Sequence, residues 1–191
     1  DGTLWVTTFD GKLYQVRGRE FSELPYPLPG GTGGTVGATD SAGKFYVLKP
    51  GGDDPYFGTW TGGGWAPLDP GMPLESEASM LGSSAAGAVW LLSGSVLQEW
   101  SDGRKVQERR ISGQHQGAWS LHPDSDGRIW VPSFESGLYR IELDGAITHF
   151  STTHGLAYNS VRFVFEDRQR NRWIGLSGGG LMRFFERRVL M

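Results

Sequence analysis

The chain has 191 residues, a formal net charge of -3 and no cysteine, which excludes a disulfide framework and thiolate chemistry and argues against a nucleic-acid or anionic-membrane surface. Thirty glycines, ten prolines and eight tryptophans describe a β-rich chain dense in turns. No apolar run approaches the roughly 18 to 20 residues that span a bilayer as a helix, and a secretion signal, if the parent has one, lies outside this segment.

One phrase recurs from the first residues onward: a turn, usually with glycine, then an apolar residue and an aromatic. It opens as DGTLW ending at Trp5, followed by predicted strands at KLYQV and at 20–24. An inner strand at 35–39 leads through Asp40 to AGKFY at Tyr46, and a glycine-rich insertion runs from Lys49 to Gly64 before a strand at 65–68. The third copy reads as an inner strand at 78–82, Ser84, AGAVW at Trp90, VLQEW and a strand at 106–111. The fourth reads as 118–122, Asp124, DGRIW at Trp130, GLYRI and 147–151; the last as 161–166, Asp167, the degenerate QRNRW at Trp173, and GLMRF.

The anchors Trp5, Tyr46, Trp90, Trp130 and Trp173 are 41, 44, 40 and 43 residues apart. That period matches the roughly 40 to 45 residues of a four-stranded propeller blade. Asp40, Asp124 and Asp167 each stand six residues before their anchor, where a carboxylate can fold onto the turn backbone, and Ser84 holds the same place in the third copy. The predicted fold is therefore all-β: a single segment over 1–191 of antiparallel four-stranded β-propeller blades, about four and a half units. Second and third strands occur at both ends, which predicts a fragment of a larger propeller. An uncovered edge in such a fragment favours self-association, and a homodimer is expected.

The stretch LAYNSVRFVFEDRQRNRWIGLSGGGLMRF, residues 156–184, resembles the repeat of the two-component regulator propellers, as do DGRIWVPSFESGLYRI and DGTLWVTTFDGKLYQV more loosely. It departs from that repeat at Arg170, where a turn glycine is usual, and at Val131-Pro132, where Ile-Gly is usual. The resemblance implies the periplasmic sensor region of a bacterial histidine kinase, part of a seven-bladed propeller. It also implies a small-molecule ligand on one face and a downstream signalling domain as partner.

In a propeller the loops from fourth to first strands share a face with those from second to third strands. That rule gathers His115 and Gln116, then His154, Tyr158 and Asn159, then Asp53, Asp54 and Trp60 as candidate ligand-binding residues. Imidazoles, acids and aromatic rings around a funnel suit a polar ligand such as a carbohydrate, stacked on a ring and bonded through its hydroxyls. Each also has a plainer reading: the periodic tryptophans as packing residues, Asp53 and Asp54 as a solvated turn rather than a calcium loop, the histidines as surface turn residues. No GxSxG, HExxH or CxxC phrase is present, so no catalytic residue, metal or cofactor is assigned, and the expectation is a binding module rather than an enzyme. The alternatives are a propeller enzyme similar to streptogramin lyases, for which His122 is the histidine expected on an inner strand, and a structural or assembly scaffold.

Overall fold

The computed structural model describes residues 3–8, 12–25, 36–51, 53–74, 79–84, 86–111, 118 and 120–185. Two compact units divide the chain, residues 1–110 and 111–191. The first unit carries three antiparallel sheets. Blade 1 is β1 (Leu4–Thr7), β2 (Leu13–Arg17) and β3 (Glu20–Leu24); blade 2 is β4 (Val36–Thr39), β5 (Phe45–Lys49), β6 (Tyr56–Trp60) and β7 (Trp65–Pro67). Blade 3 is β8 (Ser79–Ser83), β9 (Val89–Ser93), β10 (Val96–Ser101) and β11 (Arg104–Arg110). The second unit carries two sheets. Blade 4 is β12 (His122–Pro123), β13 (Ile129–Pro132), β14 (Leu138–Ile141) and β15 (Ile147–Phe150), and blade 5 is β16 (Val161–Glu166), β17 (Arg172–Leu176) and β18 (Gly180–Phe184). In every sheet the strands are neighbours in chain order, a simple meander. Eighteen strands among the described residues amount to about four and a half four-stranded blades, in line with the expectation from the repeat.

Each meander hangs on its turn. Asp124 Oδ1 accepts hydrogen bonds from the Asp126 and Arg128 N–H groups at 2.9 and 3.0 Å, while Oδ2 accepts the Trp130 Nε1–H at 2.8 Å. Asp167 repeats the pattern with Gln169, Asn171 and Trp173, and Asp40 with Ala42, Lys44 and the Tyr46 hydroxyl. The six-residue spacing in the sequence is thus the span of one carboxylate bridging a tight turn to the aromatic that begins the next strand. Ser84 makes only the backbone part, accepting the Ala88 N–H at 3.0 Å.

Strand alternation gives each blade two faces. Within each unit the face with the anchor aromatic packs on the opposite face of the following blade. Trp5 stacks on Phe45 at 4.5 Å beside Leu13, Leu24 and Val47. Tyr46 and Leu48 meet Leu81, Val89 and Leu91; Trp130 and Leu138 meet Val161, Val164 and Ile174. Trp130 is fully buried, and replacing such a ring by alanine typically costs about 3–5 kcal/mol.

The same carboxylates tie blade to blade. Asp40 Oδ2 also accepts the Asp102 N–H of blade 3 at 3.0 Å, and the adjacent Gly103 N–H reaches the Tyr46 oxygen at 2.7 Å. Asp124 Oδ2 accepts from the Arg172 guanidinium of blade 5 at 3.0 Å, and Glu166 takes the Ser125 N–H and hydroxyl, each at 2.6 Å. Arg170, in place of the usual turn glycine, adopts a left-handed conformation (φ 64°), which costs a residue with a Cβ roughly 1–2 kcal/mol. Its guanidinium offsets that strain by donating to Ser125 Oγ at 2.9 Å and Asp126 at 2.6 Å in the preceding blade.

Two elements differ from expectation. The glycine-rich insertion contains β6, paired with β5 from Tyr46↔Thr59 to Lys49↔Tyr56 and closed onto β7 by Trp60↔Trp65. Gly58 is needed there because a Cβ would lie 2.3 Å from the Tyr56 hydroxyl. The inner strand expected at 118–122 is short: His122 and Pro123 pair with Trp130 and Ile129, and Ala118 makes a separate bridge to Ser133. Pro123 has no N–H to extend that ladder.

Asp124→Ala removes the acceptor for two turn N–H groups, an indole and a guanidinium at a residue only 5 % exposed, and is expected to cost about 3–5 kcal/mol in urea unfolding. Ser84→Ala removes one hydrogen bond and is expected to cost about 1 kcal/mol. Equal losses would show that the carboxylate does no more than the hydroxyl.

The Trp173 indole and Asn171 amide hold Asp167 at about 2, below its ordinary 3.8. Arg172 lowers Asp126 and Lys44 lowers Asp102 in the same direction. Groups depressed by folding stabilise fully above about pH 4, and that contribution is lost as the pH falls toward 2. Asp167→Asn is therefore expected to be less stable than the native chain at neutral pH, with the gap closing near pH 2 in urea titrations. A gap independent of pH would refute the assignment.

Candidate functional site

The second unit builds a cleft of about 230 Å³ from Phe134, Glu135, Thr152, Tyr158, Asn159 and Ser160. Its two walls are the β13–β14 turn and the β15–β16 loop. Backbone bonds stitch them together: the Gly137 N–H donates to the Asn159 carbonyl at 2.8 Å, and the Val161 N–H to the Ser133 carbonyl at 2.9 Å. Gly137 is required at this seam, with φ 92° and a hypothetical Cβ only 2.2 Å from the Phe150 carbonyl oxygen.

The β15–β16 loop begins with a 3-10 turn, Thr152–His154, entered at Ser151 and left at Gly155 in a left-handed conformation. The His154 Nδ1 accepts the Ser151 N–H at 3.2 Å, so this imidazole caps its own turn. Asn159 Oδ1 accepts the Thr152 N–H at 2.8 Å, which fixes the amide and leaves Nδ2 as the donor it can offer a ligand. Tyr158 is 51 % exposed and Phe134 46 % exposed, two rings on the rim. The Arg162 guanidinium stands 5.2 Å from the Phe134 ring centre and donates to Ser177 Oγ at 3.2 Å. The Ser160 hydroxyl on the cleft wall is buried and makes no hydrogen bond among the described residues. Burying an unsatisfied hydroxyl costs about 1–3 kcal/mol, which a ligand group bonded to it would recover.

Of the candidates from sequence, Tyr158 and Asn159 come together here. His154 lines a neighbouring apolar cleft with Phe150, Leu156, Met182 and Phe184, and its ring meets His149 edge-on at 6.0 Å. In the first unit Asp53 and Asp54 are exposed in the β5–β6 turn, whereas Trp60 ends β6 at the other end of that strand. Trp60 packs edge-on against Trp65 at 5.1 Å beside Leu13 and Phe45, as a packing residue does. His115 and Gln116 lie outside the described residues. His122 bonds Ser120 Oγ through Nε2 at 3.1 Å, and burial pushes its imidazole pKa down. Phe134, Glu135, Ser160 and Arg162 were not among the candidates. The rule that second-to-third-strand loops share this face points to 133–137, and the spacing between Trp130 and GLYRI locates that loop.

No protein-family model matches the chain, and no curated protein matches it. Solved structures do. A catalytically inactive histidine-to-alanine variant of virginiamycin B lyase from Staphylococcus aureus, with quinupristin, is similar at 15 % identity and a TM-score of 0.68, over 98 % of this chain and 67 % of that one. The extracellular domain of a hybrid two-component system from B. thetaiotaomicron is similar at 19 % identity and a TM-score of 0.66, over 94 % of this chain but 25 % of that one. YCF48 bound to a D1 peptide is similar at 16 % identity and a TM-score of 0.60, over 97 % of this chain and 61 % of that one. The chain therefore spans a quarter of the two-component domain and about two thirds or less of the other two. The likeness establishes the propeller fold.

Gly137→Ala is expected to lower thermal stability by more than the roughly 1–2 kcal/mol of a left-handed alanine, because the Cβ also meets the Phe150 carbonyl. Gly155→Ala, also left-handed but with open space around its Cβ, is the control for backbone strain alone. A smaller effect at Gly137 than at Gly155 would contradict the seam.

Proposed function

We propose that this chain is the ligand-binding part of an extracytoplasmic sensor propeller, one segment of a longer receptor that passes its state to a signalling domain. The observation that carries the reading is the cleft between the β13–β14 turn and the β15–β16 loop, with two exposed rings, an amide donor, a carboxylate and a buried hydroxyl that lacks a partner. Rings that stack and polar groups that bond hydroxyls suit a carbohydrate. The volume of about 230 Å³ is below the roughly 300–1,000 Å³ of a drug-sized site and fits a single sugar ring or one end of a longer glycan. The likeness to the extracellular domain of a two-component system supports an extracytoplasmic location and a sensing role. The whole cleft is built from residues of the second unit.

A second reading, a lyase, has one observation in its favour beyond the likeness to virginiamycin B lyase. His122 sits on the innermost strand of blade 4, and burial lowers its pKa so that it stays neutral and able to act as a base. Turnover of quinupristin, followed by mass spectrometry and lost in His122→Ala, would replace the sensor reading with this one.

The test of the sensor reading is a screen of mono- and oligosaccharides by calorimetry. A hit is expected to weaken about tenfold, roughly 1.4 kcal/mol, in each of Tyr158→Ala and Asn159→Ala with melting behaviour retained. Binding untouched by both changes would remove the cleft from consideration.

A further inference from the structure

Two imidazoles brace the walls of the cleft, and they respond to a proton in opposite ways. His149 on β15 bonds through Nε2 to the Ser136 carbonyl, in the β13–β14 turn that forms one wall. A carbonyl oxygen only accepts, so Nε2 carries the hydrogen, and an imidazolium keeps this bond. His154 holds the other wall in the reverse sense. Its Nδ1 accepts the Ser151 N–H at 3.2 Å at the entry to the 3-10 turn. A backbone amide only donates, so Nδ1 is the bare nitrogen and is where a second proton must land. The Ser151 Oγ stands 3.0 Å from the same nitrogen and offers that proton an acceptor, so a charged His154 turns to the hydroxyl and gives up the N–H.

The cap is linked to the groups that face a ligand. Ser151 is followed by Thr152, whose N–H is held by Asn159 Oδ1 at 2.8 Å, and the Asn159 carbonyl takes the Gly137 N–H across the seam. Thr152 and Asn159 both line the cleft. None of the three residues of the 3-10 turn is buried, so its polar bonds rather than apolar packing hold it in place.

The charged and titratable neighbours act in the same direction. The His149 ring meets His154 edge-on at 6.0 Å, with Tyr139 stacked on His149 at 4.6 Å, and Arg183 of β18 lines the apolar cleft that His154 borders. No carboxylate is among the described residues lining that cleft. A protonated His154 therefore shares its surroundings with a permanent cation and with a second imidazole that gains its own charge as the pH falls.

We infer that His154 is a proton switch on the cleft. Neutral, it caps the turn that carries Thr152 and sets Asn159; protonated, it releases the Ser151 N–H and loosens that wall, so a ligand is held at neutral pH and let go in mild acid. The inference takes from the proposed function the premise that the cleft binds a ligand, but the switch itself is observable without one.

Amide hydrogen exchange of the 15N-labelled 191-residue chain, followed by NMR at about pH 7.5 and about pH 5, tests this. Relative to free-peptide rates, the Ser151 and Thr152 amides are expected to lose about tenfold in protection at the lower pH, roughly what one hydrogen bond contributes. The loss should follow the titration of the His154 ring signals, while the amides of β13 and β14 keep their protection. His154→Asn places an amide oxygen where Nδ1 stands and cannot take a proton, so it is expected to protect both amides at both pH values. His154→Ala is expected to protect them at neither, with the melting transition of the blades retained. Protection at Ser151 that ignores the titration of His154, or an acid-induced loss that persists in His154→Asn, would overturn the switch. A saccharide screen without a hit, alongside intact pH dependence in the loop, would overturn the carbohydrate reading of the cleft alone.

Discussion

A buried carboxylate has to be satisfied from several directions, and that requirement organises each blade that carries one. The oxygen that gathers the turn N–H groups sets the turn; the other oxygen fixes the indole or phenol that starts the second strand. Because the aromatic is fixed at its polar end, its ring is delivered to one side of the sheet at a constant height. The next blade packs on that side. A single residue thereby couples turn conformation, strand register and blade stacking, and the blade with Ser84 in this position shows the reduced version, in which only the turn is held.

The consequence for packing is that apolar burial and polar satisfaction coincide at the same seam. Trp130 is buried against blade 5 while its Nε1–H is held by Asp124, and Asp124 is in turn bonded by Arg172 from that same blade. Neither contribution is available without the other. Apolar contact alone would let neighbouring sheets slide, since side chains of similar size recur along every strand. The ion pair and the turn bonds select one register.

Most of this was legible in the sequence because the period is carried by residues with a specific geometric task. The aspartates six residues before Tyr46, Trp130 and Trp173, the turn glycines and the alternating apolar runs placed β3, β15 and β16 within a residue of where they lie. What was not legible had local causes. The β6 strand, YFGTW, was hidden because glycines on both sides of it read as loop, and Gly58 is there to accommodate Tyr56 rather than to break the strand. The candidate site was only half visible for a related reason. Tyr158 and Asn159 lie in a long connection that attracts attention, whereas Phe134 and Glu135 occupy a tight strand-to-strand turn, where two large side chains look incidental until both loops are seen to form one cleft. Likewise, no sequence signal announces that His154 is spent on capping its own turn.

The latches between blades also have a polarity. At the two buried aspartates the acceptor belongs to the earlier blade and the donor to the later: Asp40 awaits the Asp102 amide, and Asp124 awaits Arg172, while Glu166 runs the other way and accepts from Ser125. A nascent polypeptide emerges in the same sense, so blades 2 and 4 leave the ribosome already carrying the acceptor that the following blade must find. Removing the successor strands the more deeply buried anion, Asp124, whose side chain is 2 % exposed, while removing the predecessor takes the Ser125 donors from Glu166, whose side chain is 11 % exposed. The buried aspartate latches are thus vectorial, and the cost of a truncation at either of them depends on the side from which it is cut.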